Sequence, residues 1–239
     1  MAERFKGKVA FVAGGTGALG RAVSLAFLDE SAKVVVTYRR PEEFDILKKA
    51  AGERASALAG WPLDVTDAAA TEQLVGKILP ELGRIDVLVN AVGAYAGGTA
   101  LWSTTPEVFG RMVALNLQSG FALCRAIAPV MLRQGSGAIV NVASKAAFDH
   151  AAGAAAYAAS KAAAVAMIDS LAADLKGKGV RANSVIPSII DSEENRKAMP
   201  SADFTQWPKP EDIAKVILFL SSDEARLIHG ASIPVYGDS

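Results

Sequence analysis

The sequence has one cysteine and two histidines in 239 residues, no excess of charge of either sign and no long unbroken apolar run. Each scarcity excludes something. A lone Cys124 cannot close an internal disulfide, which fits a reducing cytoplasm, and in its helical pattern it reads as a packed thiol rather than a nucleophile. With 25 basic against 25 acidic residues, no nucleic-acid partner is expected, since such proteins carry a basic excess on one face. No metal site is expected either. Met1 to Lys8 is short and charged and runs straight into a strand-like segment, so no signal core or transit peptide is read there. The nearest approach to a membrane span is the alanine-rich stretch from Ala151 to Ile168. It contains Lys161 and is followed by Asp169, so a buried or interface helix is expected and no membrane partner.

What is present is a regular alternation. About half of the residues are hydrophobic, enough for one sizeable core and too few for two. Short apolar runs at Lys8–Ala13, Lys33–Tyr38, Ile85–Ala91, Ala138–Val142, Arg181–Ile186 and Ser232–Val235 read as strands, with a weaker one at Ala55–Pro62. They are nearly continuous in Val, Ile, Leu and Ala, the pattern of strands buried on both faces. Helical stretches lie between them at Ala18–Glu30, Glu42–Ala51, Ala68–Leu82, Pro106–Gln134, Ala155–Gly177 and Pro210–Ser221. This alternation predicts a single α/β domain over residues 1–239: a doubly wound, Rossmann-type parallel sheet of about seven strands flanked by helices. Residues 188–209 break the rhythm. They are polar, hold Pro200 and Pro208, and show no helical period until Pro210. A loop this long after a strand's carboxyl end is expected to act as a substrate lid.

The first strand ends in Ala13-Gly14-Gly15-Thr16-Gly17-Ala18-Leu19-Gly20 and turns helical. Glycines there allow a tight turn and close approach of backbone to a pyrophosphate, and the helix that follows offers free N–H groups to the same anion. Gly14, Thr16, Gly17, Ala18 and Leu19 are therefore candidate dinucleotide contacts. The second strand ends in Tyr38-Arg39-Arg40. Acid at this point would suit the ribose 2′-hydroxyl of NAD, whereas arginines suit the 2′-phosphate of NADP, so NADP(H) is favoured and NAD(H) stays open.

Tyr157 and Lys161 are spaced i, i+4 in a helical stretch and emerge from one face. A nearby ammonium is expected to lower the phenol's pKa from near 10 towards a range useful for acid–base work. Ser144, at the end of Ile139-Val140-Asn141-Val142-Ala143-Ser144, can hold a carbonyl or alcohol oxygen against that phenol, or can cap the strand end. Asn116 lies inside a long helix, where asparagine is unfavourable. It is expected either to hold a water that passes protons to Lys161 or to satisfy a local buried carbonyl.

In order and placement, Asn116, Ser144, Tyr157 and Lys161 resemble the tetrad of the short-chain dehydrogenase/reductase family. The glycine turn resembles that family's T-G-x-x-x-G-x-G, with Ala13 for the threonine and Ala18 for the middle glycine. The resemblance spans the chain from Gly14 to the Gly230–Gly237 stretch. It implies that Tyr38 stands where NAD-preferring members carry aspartate and that Asp64-Val65 flanks the adenine. It also implies that Asn90-Ala91-Val92-Gly93 is the family's N-N-A-G turn. Pro187, Ile190 and Ser192 fall in the segment that reaches the nicotinamide, with Ser188 replacing a glycine and Ser192 a threonine. The activity it implies is hydride transfer between NAD(P)(H) and a small carbonyl or alcohol, with Tyr157 as general acid–base. Homotetramers or homodimers are expected.

Tyr95, Trp102, Phe148, His150, Met199 and Trp207 are candidate substrate contacts. The segment from Asp191 to Trp207 resembles dihydropteridine reductases, so pterin reduction is an alternative, although Ser144 and the arginines favour an ordinary carbonyl reductase. A dinucleotide sensor without turnover is the alternative from another class.

Overall fold

The structure, a computed structural model, describes residues 3–239. Seven parallel strands form one sheet: β1 (Val9–Ala13), β2 (Lys33–Tyr38), β3 (Leu58–Pro62), β4 (Val87–Asn90), β5 (Gly137–Val142), β6 (Val180–Pro187) and β7 (Ser232–Val235). Their order across the sheet is β3-β2-β1-β4-β5-β6-β7. The chain therefore winds outwards one way from β1 and then the other way from β4. The crevice between these two strands, at their carboxyl ends, is where such sheets bind ligands.

The helices are α1 (Ala18–Asp29), α2 (Pro41–Ala51), α3 (Ala68–Leu82), α4 (Pro106–Val113), α5 (Ser119–Gln134), α6 (Ala155–Leu175), α7 (Glu193–Ala198) and α8 (Pro210–Ser221). Along β1 the side chains alternate between two cores, as a period of two requires. Val9, Phe11 and Ala13 join Leu74 and Ile78 of α3, Leu123 and Ile127 of α5, and Ile168 of α6. Ala10 and Val12 join Val23 and Phe27 of α1, Leu47 of α2, and Ile213 and Ile217 of α8. With both faces covered, continuous apolar runs are what the sheet needs, and the one-domain α/β architecture stands as expected.

The strand and helix bounds differ from expectation by a residue or two, with three larger differences. The weak third strand begins only at Leu58, because Gly52–Ala57 forms 3-10 turns after α2. The long helix expected over Pro106–Gln134 is interrupted by a π turn at Ala114–Gln118. That same stretch, rather than the one at Ala151–Ile168, is the helical length apolar enough to cross a bilayer among the described residues, and over half of its apolar window is buried inside the protein. Finally, residues 188–209 are not all loop. They hold α7 and a 3-10 turn at Phe204–Gln206, each started by a side-chain cap: Ser192 accepts from the Asn195 N–H at 3.2 Å, and Asp203 from the Thr205 N–H at 3.0 Å.

Candidate active site

The glycine turn is shaped by the absence of side chains. Gly14 has φ of +69°, and its N–H donates to the Thr37 hydroxyl at 3.2 Å. A Cβ on Gly15 would fall 2.5 Å from Val36 Cγ1, and one on Gly20 would fall 2.0 Å from the Gly14 carbonyl oxygen. Both glycines let α1 close onto β1 and β2. At Gly17 the space is open, with nothing nearer than 3.6 Å. Gly17 is the N-cap of α1 and brings no side chain to it, nor does the first turn carry an acid. The leading N–H groups are thus left to an anion, and the turn fits a pyrophosphate. Leu19 is packed into the core, so only its backbone can serve that anion. Ala18 and Ser192 line one cleft of about 360 Å³, together with Arg21, Asp191, Arg196 and Lys209, so the cradle and the lid face each other.

Ser144 lies just beyond β5 with extended backbone. Its hydroxyl accepts from the Ala146 N–H at 3.2 Å, capping a 3-10 turn at Lys145–Ala147. It also stands beside Tyr157, within hydrogen-bonding reach of the phenol. Burial pushes the Tyr157 phenol above its ordinary pKa; the Ser144 hydroxyl pulls it back, and Tyr95 adds to the rise. The Tyr95 ring meets the Tyr157 ring edge-to-face with centroids 4.9 Å apart.

The expected lowering of the phenol by Lys161 is not what the structure holds. The lysine is 5% exposed, and its Nζ donates to the Val142 carbonyl at 3.0 Å. Burial brings its own pKa down to about 8. Burial, not the field of this ammonium, sets the direction in which the phenol moves.

Asn116 explains the π turn. Its Oδ1 accepts from the Ala94 N–H at 2.9 Å, and its Nδ2 donates to the Ala94 carbonyl at 3.0 Å and to the Ser160 hydroxyl at 3.0 Å. Ser160 in turn donates to the Tyr157 carbonyl at 2.7 Å. Of the two roles expected for Asn116, satisfying a local buried carbonyl is the one in place. The wider turn aims this amide at the loop after β4 and ties that loop to α6, and π turns recur at functional sites for such reasons.

One residue here escaped the sequence. Ser160 hides in an alanine-rich helix, although a lone hydroxyl next to Lys161 was a usable signal. Gly93, which ends the Asn90–Gly93 turn, is closely enclosed: a Cβ there would lie 3.0 Å from Asn116 Oδ1 and 3.1 Å from Lys161 Nζ.

The remaining candidates divide. Asp64 lies exposed just beyond β3 and accepts from the Thr66 N–H and hydroxyl, which hold its carboxyl below the usual range. Val65 is buried beneath it. The Asn90 amide is turned inward: Nδ2 donates to Asn141 Oδ1 at 3.0 Å, and Oδ1 accepts from the Val92 N–H. At this turn only backbone, with that of Ala91, is left for a ligand. Pro187 ends β6 buried, and the Ile190 carbonyl accepts from Asn195 Nδ2 at 2.8 Å. Tyr38 has its ring stacked on Phe44 at 5.0 Å. Arg40 is ion-paired with Glu43, and Arg39 lies exposed near Asp64.

Among the substrate candidates only Tyr95 touches the tyrosine. Trp102 is 90% exposed and Phe148 is 55% exposed. His150 sits in an exposed loop, 3.4 Å from the Ala147 carbonyl. Met199 is half-buried at the end of α7. Trp207 is 7% exposed and packs on Phe204.

A glycine cradle at the switch point of a doubly wound sheet, with a tyrosine and a buried lysine on the same edge, defines a dinucleotide-dependent α/β enzyme. Comparison with known proteins agrees. The short chain dehydrogenase family model matches residues 8–202. The 3-oxoacyl-(acyl-carrier-protein) reductase FabG of Thermotoga maritima is 33% identical, with 98% of each chain covered. The D-threitol dehydrogenase of Mycolicibacterium smegmatis is 34% identical over 98% of this chain and 93% of its own. The solved structure of ElxO with NADP bound superposes with a TM-score of 0.91, with 26% identity over 96% of this chain and 97% of its own. The chain belongs to the short-chain dehydrogenase family, whose members are oxidoreductases that use a nicotinamide cofactor.

Proposed function

We propose that this protein interconverts a small carbonyl compound and its alcohol with NAD(P)(H), using Tyr157 as general acid–base and Ser144 to hold the reacting oxygen. The observation that carries this reading is the meeting of Tyr157 and Ser144 at the sheet's carboxyl edge, above a buried Lys161 and beside the glycine cradle. Gly14, Thr16, Gly17 and the first N–H groups of α1 would hold the pyrophosphate. Lys161 would reach the nicotinamide ribose, and the cofactor when bound supplies the hydride.

In the reductive direction Ser144 donates a hydrogen bond to the substrate oxygen and fixes it within reach of the phenol. Tyr157 then gives its proton to that oxygen as negative charge grows there. Its raised pKa keeps the phenol protonated at neutral pH, the state that reduction needs. Oxidation runs through the same two groups with the protons reversed. Relatives named as a reductase and as a dehydrogenase support either direction.

The deciding experiment follows NADH and NADPH oxidation by the purified protein across a panel of ketones, aldehydes, imines and a quinonoid pterin. Turnover of a ketone or aldehyde is expected, and turnover of the pterin alone would replace this reading with pterin reduction. Tight dinucleotide binding without turnover on any of them would make the protein a sensor. We further propose a homo-oligomer assembled through α4 and α5, whose Phe109 and Phe121 are 47% and 53% exposed. Light scattering after gel filtration tests this, and a monomer mass would reject it.

A further inference from the structure

At the end of β2 no acid stands where a ribose 2′-hydroxyl would be met, yet a carboxylate arrives there from another element. Glu43, in the first turn of α2, accepts from the Thr16 hydroxyl at 3.0 Å through Oε2 and pairs with Arg40 through Oε1. Thr16 belongs to the glycine turn and is 8% exposed, so the contact closes the gap between that turn and the β2–α2 connection. The Glu43 side chain keeps 29% of its surface exposed and the Arg40 side chain 75%. The carboxylate is thus held on one side and open to a ligand on the other. Tyr38, drawn onto Phe44, leaves it the nearest side-chain acceptor to this turn's hydroxyl.

Taking the dinucleotide-dependent function above as its basis, we infer that Glu43 sets the cofactor choice, as a ribose clamp displaced from the strand end to the next helix. Its carboxylate accepts a hydrogen bond from the 2′-hydroxyl of NAD(H) and repels the 2′-phosphate of NADP(H). The first contact is charge-assisted, while the second sets a carboxylate against a phosphate monoester, which is more than singly charged at neutral pH. Like charges a few ångströms apart near a protein surface oppose binding by a factor of about ten or more. This reverses the choice that Arg39 and Arg40 suggest by themselves. The charge of Arg40 is already answered by Glu43, and Arg39 has Asp64 beside it. The rival account makes the Glu43–Thr16 contact a mere tether of α2, with the arginines free to take the phosphate.

Calorimetric titration of NAD+ and NADP+ into the wild type, Glu43→Gln and Arg40→Ala separates the two, with a thermal melt to show that each variant is folded. The wild type is expected to bind NAD+ the more tightly. Glu43→Gln should weaken NAD+ and tighten NADP+, each by about tenfold, and so invert the preference. Arg40→Ala should change either affinity by less than about threefold. A wild type that prefers NADP+ would overturn the role given to Glu43 while leaving the dinucleotide function intact. So would a Glu43→Gln that shifts both affinities alike or not at all, or an Arg40→Ala that loses NADP+ tenfold. If the wild type binds neither dinucleotide, the function itself fails and the role of Glu43 falls with it.

Discussion

The acid–base end of the site and the lid share one edge of the sheet and are held in opposite ways. Around Tyr157, Asn116, Ser160 and Lys161 are 2%, 1% and 5% exposed; Asn116 and Lys161 are tied to backbone of other elements, and Ser160 to the Tyr157 carbonyl of its own helix. Residues 188–209 hold α7, in which no residue is buried, and the exposed pair Lys197–Glu193. Trp207 pins their far end. Buried polar groups that lose a partner have no water to turn to, whereas surface ion pairs exchange with solvent at little cost. The comparison teaches that the placement of Tyr157 and Lys161 is built into the fold's stability, while residues 188–209 are held by contacts that cost little to exchange.

The sharpest break of that comparison is Tyr157→Phe. It should reduce kcat by about a thousandfold while leaving dinucleotide Kd within about twofold, because only the proton is removed. Near wild-type turnover in steady-state assays would end the mechanism proposed. Next comes Asn116→Ala, which leaves both polar groups of Ala94 and the Ser160 hydroxyl without this partner. Urea unfolding should show a loss of about 2 kcal/mol, with reduced turnover. A loss of less than half that would mean that the loop after β4 does not depend on the π turn.

Lys161→Met is expected to weaken both dinucleotide binding and turnover, yet to stabilise the fold by roughly 1–2 kcal/mol at pH 7. The folded pKa of about 8 lies below the ordinary 10.5. Between these values the unfolded chain binds more proton, so wild-type stability rises with pH across that window. Below pH 8 the wild type bears the whole cost of burying the ammonium, and above 10.5 it bears none. The advantage of the methionine variant should therefore shrink as pH climbs from 8 past 10, as paired thermal melts would show. A pH-independent difference would place its cause in packing. The smallest effect belongs to residues 188–209: Glu193→Gln, which removes the exposed Lys197–Glu193 pair, should leave the melting temperature within about 1 °C but speed proteolysis between residues 191 and 200. A large drop in melting temperature would erase the contrast between the two regions.

Much of this was legible because it is local. Strands buried on both faces leave continuous apolar runs, glycines mark the turn that no Cβ can enter, and Tyr157 and Lys161 share a helix face by spacing alone. Elsewhere the signal is tertiary. A π turn adds one residue to a helical turn without altering composition, so Ala114–Gln118 cannot be told from the helix around it. The six residues of α7 are too few to show a period, and only Ser192 three places before Asn195 hinted at a start. Glu43 gave no sign of its partner, since Thr16 is 27 residues away and the contact exists only once α2 folds back beside the glycine turn. The Arg40–Glu43 pair shows the same limit, as a sequence shows a charge but not what neutralises it.

The π turn also acts as a phase shifter. Each residue advances an α-helix by about 100°, so one residue taken up in a wider turn rotates everything after it by that angle relative to an unbroken helix. The stretch 106–134 is thereby two helices on nearly one axis with separately set faces. The earlier one packs beside α6 near the site, and the later one presents Leu123, Ile127 and Met131 to the sheet and α3. Deleting a single residue between 114 and 118 would give a more regular helix that could satisfy the core or the site, but not both at once.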